Sequence, residues 1–386
     1  MRSTSLDLTS PELVGDPYPF FARERALGPV AWHEPSGMLL TFTHAAASEA
    51  LRERRLGRVW RDREPAAYLE PFNLLHRNQM MENEPPDHTR LRRLVAGAFA
   101  RGHVERLRPR VREIAGSLLD QVGPEGFDVV GRYAEPLPVL VIAELLGVPT
   151  SYVPDLRRWS QAIVRMYEPT RTPETTDAAV AAASEFTELV RALAHERASR
   201  PSDDLLSDLV AAREGESRLS DDEVVASAVL LLNAGHEASV NVFGNGLVAL
   251  LSRGLRPGPD PALTVEEMLR FDSALQLFER TATTDLTVAG ADVRAGQKVA
   301  VLLGAANRDP AAFAGPDTFD VARDPNPHLA FGAGLHFCLG APLARMELAE
   351  SLAALLARFP GLRLDRDPEP RGTFVLRGYR AVPVAG

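Results

Sequence analysis

Cysteine is almost absent from this sequence, because Cys338 is the only one in 386 residues. A single cysteine excludes an internal disulfide bond, and no Cys-x-x-Cys pair exists that could hold zinc. Lysine is equally scarce: Lys298 is the only one, so arginine supplies nearly all of the positive charge. The net charge of −9 makes the chain as a whole unsuited to nucleic acid or to an anionic membrane.

Long uninterrupted apolar runs are also missing. The longest apolar stretch, residues 224–251, is interrupted by Asn233, His236, Glu237, Asn241 and Asn245. This pattern argues against a membrane span. Residues 1–13 lack the apolar segment of a signal peptide. Together with the single thiol, these absences favour the bacterial cytosol, and a 45% apolar composition suits a soluble protein with a sizeable core.

The surroundings of Cys338 are rich in glycine: Phe331-Gly332-Ala333-Gly334-Leu335-His336-Phe337-Cys338-Leu339-Gly340. A thiolate is a soft ligand that suits iron or copper, and one without a partner cysteine fits the axial ligand of haem iron. The glycines at 332 and 334 allow positive φ and a close approach of the backbone to a flat cofactor. A helical pattern follows at 343–356, and its N-terminal N–H groups should lower the pKa of the thiol. The alternative is a buried, inert cysteine in a glycine-rich loop.

This stretch resembles, without a gap, the haem-binding signature Phe-Gly-x-Gly-x-His-x-Cys-x-Gly of the cytochrome P-450 (P450) superfamily. The flanking residues 327–330 and 341–347 resemble those of its bacterial members. The resemblance implies a mainly α-helical fold, one P450 domain over residues 1–386 with small β-sheet regions. It also implies haem b between the long central helix and the cysteine-bearing loop. Cys338 would bind the iron, and the haem-binding residues of this loop would be Phe331, Gly332, His336 and Gly340.

Haem carries two propionates that need cationic or donor partners. His88 and Arg92 are four residues apart and lie on one face of a helix predicted to start after Pro86. The resemblance implies that both hold propionates, together with Arg280 and His336. The alternative for His88 and Arg92 is a solvated basic face.

Residues 90–112 contain eight arginines and a single acid, Glu105. Such a basic run can bind nucleic acid, but only Phe99 interleaves as an aromatic residue. The resemblance implies a docking surface for an acidic electron-donor protein, which charge would steer.

A long helix is predicted to start near Ser220-Asp221-Asp222-Glu223, which supply N-cap and first-turn residues. Its polar residues at 233, 237, 241 and 245 form one stripe that must face other polar groups or a cofactor pocket. The resemblance implies that Ala234 and Gly235 make room for O2 and that Glu237 helps to deliver protons. Where relatives have threonine, this chain has Ala238, and Ser239 lies about 100° further round the helix. Proton delivery is then left to a substrate hydroxyl or to water held by Glu237 and Ser239.

Glu267 and Arg270 share one face of a predicted helix. The residues from Thr264 to Glu267 also fit a capping box. The resemblance implies that Glu267 and Arg270 form a buried ion network with Arg323. The glycine- and proline-rich link at 251–264 is shorter than in relatives, which predicts a trimmed surface element.

The substrate region is predicted only by resemblance. Residues 52–80 are rich in arginine and poorly periodic, which predicts a loop; with residues 162–183 they would form the variable lid. The candidate pocket residues are Trp60, Tyr68, Phe72, Leu75, Met80, Ser273, Leu275, Phe278, Phe374 and Val375.

Two further stretches have predicted secondary structure. Residues 30–43 are predicted to form a hairpin. Residues 110–220 are predicted to be helical, with breaks at Pro124, Pro136, Pro149 and Pro154.

The function that the resemblance implies is a haem-thiolate monooxygenase that oxidises a small organic substrate, a secondary metabolite. Electrons would pass from NAD(P)H through a separate ferredoxin reductase and a ferredoxin to activate O2. The protein would be a cytoplasmic monomer with no nucleic-acid or membrane partner. One alternative is a peroxide-driven or oxidative-coupling P450, although the groove lacks the Arg and Pro that peroxide-using relatives place there. The other is a non-catalytic haem-binding protein, against which Glu237 and the expected redox-docking arginines of residues 90–112 argue.

Overall fold

The protein is built mainly of helices, and its structure, a computed structural model, describes residues 1–99, 103–168 and 171–386. The helices are α1 (Pro11–Gly15), α2 (Tyr18–Leu27), α3 (His44–Arg52), α4 (Glu70–Arg77), α5 (Asp87–Phe99), α6 (His103–Arg106), α7 (Arg108–Leu119), α8 (Pro136–Leu146), α9 (Val153–Val164), α10 (Pro173–Ser199), α11 (Leu205–Ala211), α12 (Asp221–Leu251), α13 (Pro261–Phe271), α14 (Leu303–Ala306) and α15 (Ala341–Arg358). Short 3-10 helices lie at Met80–Glu82, Thr150–Tyr152, Arg165–Tyr167 and Gly334–His336, and a short π-helix lies at Val130–Ala134.

The strands are short. They are β1 (Ser3–Thr4), β2 (Val30–His33), β3 (Met38–Thr41), β4 (Leu56–Gly57), β5 (Phe127–Asp128), β6 (Arg213–Glu214), β7 (Ser217–Arg218), β8 (Leu277–Ala282), β9 (Leu286–Val288), β10 (Ala291–Val293), β11 (Lys298–Leu302), β12 (Arg363–Leu364), β13 (Glu369–Pro370), β14 (Tyr379–Ala381) and β15 (Pro383–Ala385). The largest sheet has the order β1-β2-β3-β11-β8-β4. Its β2–β3 pair is antiparallel, which confirms the predicted hairpin.

Helix α12 is the central element of the fold. Ser220 caps it: its side chain accepts from the N–H of Glu223, and the Glu223 carboxylate accepts from the N–H of Ser220 in return. This capping box confirms the predicted start, and such a cap stabilises a helix by about 1 kcal/mol. Because α12 is apolar nearly all round, it packs against α4, α8, α9, α10 and α13 in the main core.

Sheet pairing positions part of the site. In the largest sheet β8 runs antiparallel to β11, with Arg280 opposite Val299, and β4 pairs along its other edge. An isolated bridge joins Leu275 to Leu376, so the residues before β8 lie against the C-terminal segment. The predicted substrate residues on these two segments therefore come together although the sequence separates them.

Three local predictions differ from the structure. Glu70–Arg77 is a helix, not a loop, because it buries Phe72 and Leu75 on one face and has Arg77 in its last turn. Thr264 lies inside α13, whose N-cap is Asp260, so the capping-box interpretation is wrong. Pro136 begins α8 and Pro154 is the second residue of α9, where proline starts a helix instead of breaking it.

Candidate functional site

The cysteine-bearing loop has a backbone conformation that requires glycine. Gly332 and Gly334 have φ of 69° and 71°, in the left-handed region. A Cβ on Gly334 would lie 2.4 Å from the carbonyl oxygen of Leu51 at the end of α3. The N–H of Cys338 donates to the carbonyl of Phe331 at 3.0 Å and closes the loop. These contacts place Cys338 just before α15, which begins at Ala341 with Gly340 as its N-cap.

Cys338 as a residue keeps some exposed surface, and the N–H groups of Gly340 and Ala341 donate to its sulfur. The sequence predicted a lowered pKa for the Cys338 thiol. For the protein without haem this prediction is wrong. Burial raises the pKa of the thiol, and this effect exceeds the lowering by those two N–H groups and by Arg92. Within the described ranges no group of three or more His, Cys, Asp or Glu residues could hold a metal ion. Cys338 would thus be a single protein ligand, as in a haem whose porphyrin supplies the other ligands.

Two histidines meet beside this loop. The rings of His88, on α5, and His336 lie 4.5 Å apart, and His336 Nε2 contacts Glu84 Oε1 at 2.7 Å. Both ring nitrogens of His88 are buried and have no partner among the described residues. Burial and the nearby His336 lower the pKa of His88 to about 4. Buried polar atoms without partners are rare, so they indicate a place for a ligand or water.

Arg280 brings a buried positive charge to the same cluster. The residue is 2% exposed, and its guanidinium donates only to the carbonyl of Glu279, at 3.2 Å. No carboxylate in the described part of the chain lies within 4.0 Å of it. Burial and the neighbouring Arg58 lower the pKa of Arg280 to about 9. A buried cation without an anion is costly, so the cluster suits an anionic group.

Arg92 connects α5 to the cysteine-bearing loop. Its guanidinium donates to the carbonyl of Phe337 at 2.7 Å. Burial lowers the pKa of Arg92, while the nearby Cys338 acts in the opposite direction. The structure therefore brings His88, Arg92 and His336 together around one loop, as the sequence predicted them to share a site.

Helix α12 has an opening in its buried surface. Ala234 is exposed, and Gly235 and Ala238 are partly exposed, although nearly all the neighbouring residues of the helix are buried. A Cβ on Gly235 would meet only one atom within 4 Å, a methyl group of Ile142 at 3.8 Å. This small, apolar strip leaves room against the helix. A lone thiol, cations without anions and an uncovered apolar strip all fit a bound haem.

Glu237 has a partner that the sequence analysis missed. Its buried carboxylate accepts from Arg371 at 2.5 Å through Oε2, and its other oxygen, Oε1, has no hydrogen-bond partner among the described residues, with His236 Nδ1 3.8 Å away. Arg371 also donates to Asn241 Oδ1 at 3.3 Å. The polar stripe indicated that some partner must exist. Arg371 lies 134 residues further along the chain, so sequence spacing could not identify it.

Ser239 does not share a site with Glu237, so the expected water held jointly by these two residues is wrong. Residues two apart on a helix point about 200° apart. The Ser239 hydroxyl instead hydrogen-bonds to Glu347 on α15, beside a small cavity lined by Tyr133 and Phe243 among others. Burial raises the pKa of Glu347 to about 8, although the bond from Ser239 opposes this. The sequence analysis noted Glu347 only as part of a resembling string.

The predicted ion network of Glu267, Arg270 and Arg323 is present in the structure. Glu267 and Arg270 have no exposed side-chain surface, and two hydrogen bonds of 2.7 Å join them. Arg323 Nε donates to Glu267 Oε2 at 3.0 Å. Arg270 also donates to the carbonyls of Asn307 and Pro316. The network ties α13 to the segment that leads into the cysteine-bearing loop.

Five arginines of the run at 90–112 form ion pairs in the structure. They are Arg90 with Glu223, Arg106 with Asp203, Arg108 and Arg112 with Glu350, and Arg110 with Glu113 on its own helix and with Glu144. Arg101 lies outside the described residues. These pairs offset much of the local positive charge, and the docking surface for an acidic electron donor stays a prediction.

Several predicted pocket residues have other contacts. Phe72, Leu75, Met80, Ser273 and Phe374 are buried, and their place in a substrate pocket stays a prediction. Phe72 stacks on His76, and the Ser273 hydroxyl accepts from Asn307. Tyr68 is 45% exposed and donates to Asp177 on the outer surface. Trp60, Leu275, Phe278 and Val375 keep partial exposure and remain candidates.

The fold and this site define a helical haem-thiolate oxygenase. A family model described as Cytochrome P450 matches residues 262–376. The 6-deoxyerythronolide B hydroxylase of Saccharopolyspora erythraea is 38% identical over 380 residues, covering 93% of this chain and 91% of that protein. The biotin biosynthesis cytochrome P450 of Bacillus subtilis is 37% identical and covers 97% of both chains.

Solved structures of cytochromes P450 are also similar to this chain. The crystal structure of P450BioI in complex with an acyl carrier protein ligated to hexadec-9Z-enoic acid has a TM-score of 0.91 at 33% identity, covering 97% of this chain and 99% of that chain. The polyketide synthase cytochrome P450 PksS of Bacillus subtilis has a TM-score of 0.88 at 33% identity, with 98% and 99% covered. This chain belongs to the cytochrome P450 family and is a monooxygenase. No helix among the described residues is long and apolar enough to cross a bilayer.

Proposed function

We propose that this P450 inserts one oxygen atom of O2 into a small organic substrate, a secondary metabolite, with electrons supplied by a ferredoxin and its NAD(P)H-dependent reductase. The observation that carries this proposal is the lone thiol of Cys338 at the start of α15, in a loop whose His336 lies near the buried Arg280, a cation with no carboxylate within 4.0 Å among the described residues. Relatives support the reaction class: one is named 6-deoxyerythronolide B hydroxylase and another mycinamicin IV hydroxylase/epoxidase. A cytoplasmic monomer is part of the same proposal.

The residues divide into three roles. Cys338 binds the iron, and the N–H groups of Gly340 and Ala341 stabilise its thiolate. His88, Arg92, Arg280 and His336 hold the two propionates, which supply the missing negative charge. Ala234 and Gly235 leave room for O2 on α12. Haem, when bound, supplies the reductive activation of O2.

Two separate buried acids, Glu237 and Glu347, lie beside this part of α12. Glu237 contacts Arg371, whose side chain is 22% exposed and so connects the acid to solvent. Glu347 has a pKa of about 8, raised by burial, and therefore carries its proton at neutral pH, with Ser239 as its hydrogen-bond partner. Ala238 between them can neither donate nor accept a hydrogen bond. We assign proton supply to these two acids, assisted by a substrate hydroxyl.

The iron ligand is tested in the reconstituted, reduced protein with carbon monoxide. The wild type should show the red-shifted Soret band that thiolate ligation produces, and Cys338→Ala should lose it. Because the chain has no second cysteine, no other thiolate can substitute. If the variant keeps the band, the assignment of Cys338 is wrong.

Measuring turnover distinguishes an oxygenase from a non-catalytic haem carrier. With a surrogate ferredoxin and reductase, an oxygenase consumes NADH and forms an oxidised product, whereas a haem carrier does neither. A peroxide-driven enzyme would form product with peroxide alone and gain nothing from the electron donors. Product formation that requires NADH therefore supports the proposal against both alternatives.

The substrate hydroxyl is tested with Ala238→Thr. We expect substrate analogues that lack one hydroxyl to consume NADH but to release mostly peroxide from the wild type. The introduced threonine hydroxyl should restore part of the product yield for those analogues only. Equal yields from every analogue in both proteins would rule out the substrate-assisted route, and Glu237→Ala and Glu347→Gln would then locate the proton source.

A further inference from the structure

Glu266 on α13 has two partners, which come from the two segments that flank the cysteine-bearing loop. Its carboxylate accepts from Arg345 through both oxygens, from Nε at 2.6 Å and from Nη2 at 2.8 Å. The Nε2 atom of His328 lies 3.0 Å from Oε2 of the same carboxylate. Arg345 lies on α15 and His328 precedes the loop, so one carboxylate joins three segments that are separate in the sequence. These three residues are called the Glu266 triad below.

The hydrogen bonds of the triad determine where its protons and charges lie. The N–H of Ala330 donates to His328 Nδ1 at 3.3 Å, so Nδ1 is an acceptor and Nε2 carries the proton that Glu266 accepts. Burial opposes the ionisation of Glu266, but the hydrogen bonds from Arg345 and His328 lower its pKa to about 2. At neutral pH the triad therefore contains one negative charge and one positive charge.

The triad lies against Phe331, the residue that closes the cysteine-bearing loop. The guanidinium of Arg345 lies 4.6 Å from the centre of the Phe331 ring, and the centre of the His328 ring lies 6.1 Å from it. The Phe331 carbonyl accepts from the N–H of Cys338 at 3.0 Å. By holding its two partners in place, Glu266 supports the residue whose carbonyl fixes the backbone of Cys338.

Arg345 also acts on Cys338 through its charge. Burial raises the pKa of the Cys338 thiol, while the charges of Arg92 and Arg345 act in the opposite direction. The two arginines differ in their partners. Arg92 donates to the carbonyl of Phe337, whereas Arg345 shares both oxygens of the Glu266 carboxylate. Because the carboxylate is so close to the guanidinium, it offsets the positive charge that Arg345 presents to the sulfur.

We propose that Glu266 is a positioning residue for Cys338. Its carboxylate holds Arg345 and His328 against Phe331, and it offsets the positive charge of Arg345 beside the thiolate. An uncompensated positive charge would stabilise the reduced state of the iron centre, which carries one more negative charge, and would raise its reduction potential. Glu266 therefore keeps this potential low. The inference rests on the proposed function, because it concerns haem bound through Cys338.

The charge is tested by the reduction potential of the haem-loaded protein. Glu266→Gln keeps an acceptor for Arg345 but removes the negative charge, so the equilibrium constant for reduction should rise about tenfold, equivalent to about 59 mV for one electron. Arg345→Gln should shift the potential in the negative direction, and the double variant should return close to the wild type. These shifts should become smaller with added salt, because 39% of the Arg345 side chain is exposed.

Two control variants separate charge from structure. Arg345→Lys keeps the positive charge and should leave the potential close to that of the wild type. Asp120→Asn removes an acid that pairs with Arg358, the last residue of α15, and should not change the potential. If Glu266→Gln folds poorly, Arg345→Gln still decides the sign of the effect, because its side chain lies partly in solvent.

The positioning role is tested without haem, by hydrogen exchange of the Cys338 amide that donates to Phe331. Glu266→Ala removes the acceptor of both partners and should speed this exchange about tenfold in the haem-free protein. Amides in the middle of α12 should keep their exchange rates, which excludes global unfolding as the cause. Glu266→Gln keeps an acceptor and should have a smaller effect.

The outcomes separate the inference from the proposed function. Equal potentials in the wild type, Glu266→Gln and Arg345→Gln overturn the electrostatic role, while the red-shifted Soret band with carbon monoxide would still support the iron ligand. Shifts of the same sign in both single variants also overturn it, since they would report a disturbed structure. Unchanged exchange of the Cys338 amide in Glu266→Ala contradicts the positioning role. Absence of the red-shifted band from the wild type would contradict the haem site itself.

Discussion

Two buried arginines, Arg270 and Arg280, occupy opposite electrostatic surroundings. Arg270 has no exposed side-chain surface and makes two hydrogen bonds of 2.7 Å to Glu267. Arg280 is 2% exposed and donates only to a backbone carbonyl. A buried charge without a counter-charge is unfavourable. The comparison therefore separates an ion pair that holds the fold together from a charge kept for a ligand.

The largest expected effect comes from removing the counter-charge of the matched pair. Glu267→Gln leaves Arg270 and Arg323 buried without a carboxylate, because Glu267 accepts from both. We expect the free energy of unfolding to fall by about 3–5 kcal/mol. Urea denaturation of the haem-free protein measures this change.

The matched control is Glu113→Gln, which removes an exposed acid that pairs with Arg110 on the surface. Its expected cost is at most about 1 kcal/mol. If both substitutions lower the stability equally, the buried network does not have the structural role assigned to it.

The second prediction exchanges the two arginines for methionine. Arg280→Met should leave the haem-free protein as stable as the wild type or more stable, because it removes an unpaired buried charge. It should weaken haem retention roughly ten- to hundredfold, because a propionate loses a charge-assisted hydrogen bond. Transfer of haem to an excess of apomyoglobin measures the retention.

Arg270→Met should behave in the opposite way. It should destabilise the haem-free protein by a few kcal/mol, because Glu267 loses a buried partner. If the stability of the haem-free protein falls equally in both variants, Arg280 has a protein partner and the distinction between the two arginines is lost.

The third prediction concerns Glu347, a buried acid that forms no ion pair among the described residues. Its carboxyl has a pKa raised by burial to about 8, against an ordinary value of 4.5. Between these values the folded chain holds a proton that the unfolded chain has released. Raising the pH across this interval should therefore lower the free energy of unfolding.

Glu347→Gln should remove this part of the pH dependence while keeping a donor for Ser239. Urea midpoints of both proteins across the same pH interval make the comparison. A wild type whose stability does not decrease relative to the variant as the pH rises would show that Glu347 is already ionised in the folded protein.

Local sequence was sufficient for the cysteine-bearing loop and for the start of α12. Gly332 and Gly334 need positive φ, and Ser220 with Glu223 forms a capping box; each depends on residues a few positions apart. The pairing of Glu267 with Arg270 follows from helical spacing in the same way. Such features are readable because the interacting groups are neighbours in the chain.

The partners of the two buried acids could not be predicted in this way. Glu237 meets Arg371, which lies 134 residues later, and Ser239 meets Glu347 across two helices. The substrate region was the least predictable, since Phe72 and Phe374 turned inward to the core. Burial depends on which elements pack together, and no local pattern carries that information.

The sequence by itself determined the iron ligand candidate, the long helix and the family, because these depend on a short motif and on local capping and periodicity. Only the tertiary structure decided which charges are matched. It paired Arg90 and Arg108 with acids from distant segments, and among the described residues it left Arg280 without one. The physical reason is that Coulomb energy depends on distance and burial in space, which the order of residues along the chain does not specify.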